Sequence, residues 1–213
     1  MLTNDVNLLV YEPALFGMWQ IGHQQYGRGS SAALNGTSFS AAGEDFPAAG
    51  VQAGDVLYLA SIDSVIDGCY EIVEVVSATQ LIVSVLRGDA AEPPIAVGVG
   101  SNLIWRISTF APQRAIAERM VSDRLELTPE MMEVMNENSL RRLKTAMIAA
   151  ALALIFETLI RQDDDDDVFG RKKDVYRQMV EEAVCRLRLE MDTTGDGQTD
   201  VIHRGDDLQL KRR

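Results

Sequence analysis

The sequence predicts an α+β chain: a bundle of three to four helices, a small antiparallel β-barrel- or sandwich-like insertion, and an extended C-terminal tail. Three observations carry this. Between Ser139 and Asp192, apolar residues recur at steps of three and four in two stretches, separated by the acidic break RQDDDDDVFG. Between Val51 and Phe110 the apolar period shortens to two, in short runs divided by Gly/Pro turns. After Gly195 the helical period is lost. The resulting divisions are an N-terminal segment, 1–21, packing on the bundle; a β-rich insertion, 22–111; the helical bundle, 112–192; and an extended C-terminal arm, 193–213.

In chain order, residues 1–21 hold two apolar bursts split by Pro13, with LLVY readable as a short strand or a helical turn and PALFGMW as a short helix opened by proline. The Gly-, Ser- and Ala-rich stretch from Gly22 to Gly50 reads as a long loop with one short strand at most. GDVLYLAS then reads as a strand, and GCYEIVEVVS and TQLIVSVLR as a hairpin turning at Ser77–Ala78. NLIWRIS alternates, with Leu103, Trp105 and Ile107 on one face and Arg106 on the other. Pro112 opens a helix with Ile116, Met120 and Val121 facing inward, and Thr128 caps a second helix over 128–138 with Pro129 at its first position. In the hairpin that follows, Leu140, Leu143, Met147, Ala151, Ile155 and Leu159 form one stripe; Tyr176, Met179, Val180, Ala183, Leu187 and Met191 form its partner. Neither stripe can be buried without the other.

Composition is that of a globular protein, 46% hydrophobic and 24% charged. The N-terminus lacks a basic region leading into an apolar run, so no signal peptide is expected. The most apolar run, Ala146 to Phe156, is too short to cross a bilayer, and no membrane partner is expected. Cys69 and Cys185 lie in different regions and are expected as free, buried thiols. Net charge is −12. Residues 1–111 carry three arginines, no lysine and eleven carboxylates, a balance that disfavours direct nucleic-acid binding and favours a surface that repels DNA.

Of the local motifs, DTTGDGQTD is the sharpest. Asp192, Thr194 and Asp196, followed by Gly197, match the first half of an EF-hand loop, and Asp192, Asp196 and Asp200 make a weak cation-site candidate. The position that should supply a bidentate glutamate is His203, so the loop reads first as a structural turn. The run Asp163–Asp167 reads as a solvated block ahead of a helix start. The RGD at Arg87–Asp89 is discarded as a chance loop tripeptide. His23 and His203 are the only histidines, neither lies near a nucleophile motif, and no catalytic residue is assigned. Met131, Met132 and Met135 read as core filler or as an adaptable contact surface between subunits.

The order of parts resembles the head-to-tail connector (adaptor) proteins of tailed bacteriophages. The segments that carry the likeness are AGVQAGDVLYLAS and GCYEIVEVVSATQLIVSV, then LIFETL, an acidic break, and DVYRQMVEEAVCRLRLEMDTTGDGQTD with a basic tail. The resemblance implies a non-enzymatic virion protein without cofactor, made in the host cytoplasm and placed at the neck. It implies a dodecameric ring beneath the portal, contacting the portal ring, neighbouring copies and the next neck or tail protein, while DNA passes through without specific binding. Residues 112–192 would form the ring wall. Val201, Ile202, Leu208, Leu210, Lys211, Arg212 and Arg213 would form the docking arm, suited to strand addition on an acidic partner. Two alternatives stay open: a neck or tail-completion protein one layer further from the head, and a calcium-regulated binding module built on the 192–200 loop.

Overall fold

The structure is a computed structural model that describes residues 1–18, 24–160, 167–194, 199 and 201–204. It divides into two compact units, Asn4–Phe110 and Met1–Thr3 with Ala111–Arg213.

The first unit is a closed six-stranded antiparallel barrel with short helices. Its strands are β1 (Gln25–Gly36), β2 (Ser38–Ser40), β3 (Val56–Ala60), β4 (Asp67–Ser77), β5 (Gln80–Ser84) and β6 (Gly98–Ser108), in the order β1-β2-β5-β4-β3-β6. The predicted alternation holds in β6, where Leu103, Trp105 and Ile107 are buried in the barrel. In β3, Leu57 and Leu59 lie opposite Ile107 and Trp105. Phe39, Phe46 and Trp105 pack edge-on or tilted with centroids 5.8 to 6.1 Å apart, filling the interior.

Where a loop was expected over 22–50, the chain forms β1, β2 and helix α3 (Phe46–Ala49). The small residues that look like loop composition are a packing requirement. A Cβ at Gly29 would stand 2.6 Å from Trp105 Nε1, and one at Gly27 2.9 Å from the same ring. Only glycine lets β1 pass this close to the indole. Helices α1 (Asp5–Tyr11) and α2 (Leu15–Met18) belong to the barrel unit, not to the bundle. An Asn4–Asn7 capping box starts α1. The Val6 amide donates to the Gly54 carbonyl, Asp5 accepts from the Phe110 amide, and Phe16 packs edge-on against Phe110. These bonds tie α1 and α2 to the barrel; of the N-terminal segment, Met1–Thr3 alone joins the helices.

The second unit contains α4 (Ala111–Arg124), α5 (Pro129–Glu133), α6 (Glu137–Leu159), α7 (Val168–Cys185) and a two-stranded sheet of β7 (Arg188–Met191) and β8 (Val201–Arg204). Helix α6 is its axis. Residues Ala146 to Ala153 are all buried, so the helix is covered on every side, as a central helix must be. On α4 the inward face is Arg114, Ala117 and Val121; Ile116 and Met120, expected inside, are about half exposed. Arg114 turns inward because it donates to the Thr3 carbonyl, while Glu118 accepts from both the amide and the hydroxyl of Thr3.

The helix expected over 128–138 stops at Glu133, and Asn136 caps a new one by accepting from the Ser139 amide. The second helix of the long pair was expected to continue to Met191. It ends at Cys185, and Leu187, Leu189 and Met191 alternate inward in extended chain, each at most 4% exposed. Asp167 caps α7 through the Phe169 amide; Asp163–Asp166 lie outside the described residues. Both cysteines are free, as expected, but Cys185 is exposed rather than buried.

Candidate interaction surfaces

The C-terminal sheet is built onto the start of α6. Strand β7 is flanked on one side by β8, with Leu189 opposite His203 and Met191 opposite Val201. On its other side the Met135–Asn136 linker runs beside it: Met135 bridges Met191, the Asn136 amide donates to the Glu190 carbonyl, and the Asp192 amide donates to the Val134 carbonyl. The Glu190 amide in turn donates to Ser139 Oγ at 2.8 Å, and Asn136 Nδ2 donates to the Glu190 carboxylate. Strand β8 is held by His203, whose Nε2 lies 2.8 Å from the Leu125 carbonyl at the end of α4. Because a carbonyl only accepts, that ring nitrogen carries a hydrogen. Val201 and Ile202 remain 44% and 40% exposed.

Of the residues assigned to the docking arm, Val201 and Ile202 therefore sit together on the outer strand of this sheet; Leu208, Leu210, Lys211, Arg212 and Arg213 lie outside the described residues. The two segments between which β7 is held, 134–136 and 201–204, were not assigned to one place by sequence. The missed anchors are Ser139, Asn136 and His203, polar residues whose partners lie far along the chain. Met131 and Met132 are half-buried beside this region, whereas Met135 is buried at 7% exposure and its side chain is withdrawn from the surface.

A groove of about 400 Å³ lies between α6 and α7, with Met179, Ala183 and Leu187 inside and Arg142, Glu182 and Arg186 at its rim. Its neighbour α4 is joined to α7 by a bidentate pair in which Arg124 donates to both oxygens of Glu181, holding that carboxyl below its ordinary range. In the barrel unit, Arg106 on β6 is buried, stacks 5.2 Å over Tyr58 and donates to the Phe16 and Gly17 carbonyls. Its burial lowers its proton affinity. Beside it, burial pushes the Cys69 thiol up to about 11, so it stays protonated near neutral pH and is no ready nucleophile. This cluster fastens α2 to the barrel wall.

Of the cation-site candidates, Asp192 is described, with Thr194 Oγ1 3.4 Å from its carboxylate; Asp196 and Asp200 lie outside the described residues, as does His23. Among the described residues no three His, Cys, Asp or Glu side chains are grouped to hold a metal, and no helix is long and apolar enough to cross a membrane. Comparison with protein-family models, with curated proteins and with solved structures gave no match.

Proposed function

We propose that the protein is a non-enzymatic connector (adaptor) of a tailed-bacteriophage neck, forming a dodecameric ring that joins the portal to the tail and continues the DNA channel. One observation supports this above the others. A small sheet, fixed to the bundle by Ser139, Asn136 and His203, presents Val201 and Ile202 on a strand that precedes, in sequence, the basic run Lys211–Arg213. Among the described residues β8 has a strand neighbour on one side only, a geometry suited to pairing with a partner's strand, and basic residues add attraction to an acidic partner. In this reading the helices around α6 form the ring wall. Half-exposed Ile116 and Met120 on α4, together with Met131 and Met132, offer apolar contacts to neighbouring copies. The net charge of −12 suits a channel wall along which DNA moves without adhering.

The test is co-sedimentation with the portal ring encoded near the gene, using the full chain, a chain ending at Asp200 and a chain ending at Arg204. Saturable binding by the full chain that the shorter forms lose establishes the connector role and puts docking in the tail. Loss only on removing β8 assigns docking to the sheet itself. No binding by the full chain overturns the proposal.

A further inference from the structure

Three of the most exposed large apolar side chains among the described residues stand together at one end of the barrel. Ile62 and Val65, in the connection from β3 to β4, are 88% and 81% exposed, and Val99, at the start of β6, is 77% exposed. They border a groove of about 400 Å³ floored by Ile66 and Leu103, both buried. Gly100 keeps this floor compact, since a Cβ there would meet Leu103 at 3.0 Å and Ile66 at 3.2 Å. Single exposed apolar residues are ordinary, but a cluster bordering a groove marks a contact surface.

The backbone beside the groove says what shape of partner fits. On one side, β6 pairs with β1 from Gly98 to Ser108, with Leu34 opposite Gly100 and Ala32 opposite Leu103 and a register shift between these two pairs, where Asn102 takes a left-handed φ of 54°. On the other side, β3 reaches only from Val56 to Ala60, opposite Ser108 to Ile104. The chain then leaves the sheet at a turn closed by the Ser61 amide on the Ile66 carbonyl. Among the described residues, the Gly98–Leu103 half of β6 thus has a strand neighbour on one side only, although the barrel is closed further along. Open strand edges are ordinarily guarded by lysine, proline, bulges or cover; this one bends at a bulge near Asn102 but carries neither lysine nor proline, and Ile62, Val65 and Val99 border it.

Charge says which chemistry fits. The barrel unit carries three arginines and eleven carboxylates. Arg87 is paired with Glu71 at 2.7 Å and Arg106 is buried, so two of its three positive charges are engaged internally. The charged group lining the groove is Asp63, a carboxylate that accepts from the Ser61 hydroxyl and the Val65 amide. A second copy of the barrel would bring the same negative excess and be repelled.

We propose that the Gly98–Leu103 edge of β6 is a docking site for an extended segment of another polypeptide, one that alternates apolar and basic side chains. The added strand continues the β1–β6 ladder, its apolar side chains cover Ile62, Val65 and Val99, and its lysines or arginines approach Asp63. This site is in the barrel unit and stands independently of the connector reading.

The test titrates the isotope-labelled full chain with three synthetic octapeptides: alternating valine and lysine, alternating valine and glutamate, and the first with a central proline. The valine–lysine peptide is expected to give saturable amide shifts and slowed hydrogen exchange at residues 98–103. The glutamate peptide is expected to bind at least about tenfold more weakly, and the proline peptide to lose the exchange protection. Combining Ile62→Ser with Val65→Ser, both on an exposed connection, is expected to weaken the valine–lysine peptide while leaving shifts elsewhere unchanged. Absence of saturable binding, shifts centred elsewhere, or equal binding of both charged peptides overturns the proposal. So do concentration-dependent shifts at 98–103 without peptide, which would make a second copy the occupant.

Discussion

The barrel and the helical unit differ in where their smallest residues sit. In the barrel a few large rings, Phe39, Phe46 and Trp105, fill the interior, and Gly27 and Gly29 clear space for the largest of them. In the helical unit the axis is made small, with Ala146, Ala149, Ala150, Ala151 and Ala153 buried along α6. Neighbouring chain can then lie close against it on every side. The difference is one of where integrity is concentrated. A barrel filled by one aromatic cluster depends on single side chains, whereas a helix in a sleeve of neighbours depends on what fastens the sleeve. In this unit the fasteners are Arg114 to the Thr3 carbonyl, Arg124 to Glu181, Ser139 to β7, and the stack of Phe156 on Phe169 and Tyr176.

The largest expected effect therefore comes from the barrel. Trp105→Ala is expected to cost about 3–5 kcal/mol, the usual range for emptying a buried aromatic site. Hydrogen exchange at the amides of β3 and β5 should accelerate accordingly, while α6 amides keep their rates. Equal acceleration in α6 would break the comparison, because it would make the two units one cooperative body. Gly29→Ala tests the same contact from the other side, since its new methyl must displace the indole.

The two cysteines sharpen the contrast, one in each unit. Burial holds the Cys69 thiol up at about 11 from an ordinary 9.0, against a smaller opposing pull from Arg106. The native fold thus favours the protonated thiol. That contribution is complete below about pH 9 and is lost as pH rises towards 11, when the unfolded chain has already released its proton. Two consequences are measurable. Alkylation near pH 8 should label exposed Cys185 first, with the thiolate population of Cys69 about 100-fold below that of an unperturbed thiol. Stability should fall between pH 9 and 11 more steeply in the parent than in Cys69→Ala. Labelling of Cys69 at the rate of Cys185 would show that the barrel wall opens readily there.

What the sequence revealed follows the same division. The strands of large residues were legible: β-branched and aromatic side chains alternate through Val56–Ala60, Gln80–Ser84 and Asn102–Ser108. Strand β1 was not, because QYGRGSSAALNG holds the residues that a turn also uses. Its reason for being small is Trp105, 76 positions beyond Gly29. The end of α7 was misread for a different reason. Leu187 and Met191 are four apart and fit a helix, but Leu189 between them completes a period of two, and burial of all three decides for the strand. On α4, Ile116 and Met120 fit an inward stripe as well as Ala117 and Val121 do; the choice was settled by Arg114 reaching Thr3, a contact that periodicity does not encode. Of the candidate surfaces, Val201 and Ile202 were singled out from their apolar character near a basic run, and both are exposed. The groove at Ile62, Val65 and Val99 was not found, although three apolar residues in the short connection SIDSVI are themselves a signal, since such turns are ordinarily polar.

The smallest effect tests whether the helical unit is fastened as described. Ser139 is 2% exposed and sits in the first turn of α6, where its own amide is satisfied by Asn136. Its hydroxyl oxygen accepts from the Glu190 amide, and that bond orients β7 against the bundle. Ser139→Ala removes the acceptor and leaves a strand amide without it, at a cost of about 1–3 kcal/mol, offset slightly by the better helix propensity of alanine. The loss should be local. Exchange at Glu190 and along β8 is expected to quicken, and the Leu125 carbonyl to lose its His203 partner a greater share of the time, while the amides of Leu152–Phe156 in α6 stay protected. If exchange instead quickens evenly through α6 and the sheet, the C-terminal strands are part of the core's cooperative unit rather than an attachment to it. Strand β8 would then be as rigid as the bundle that carries it.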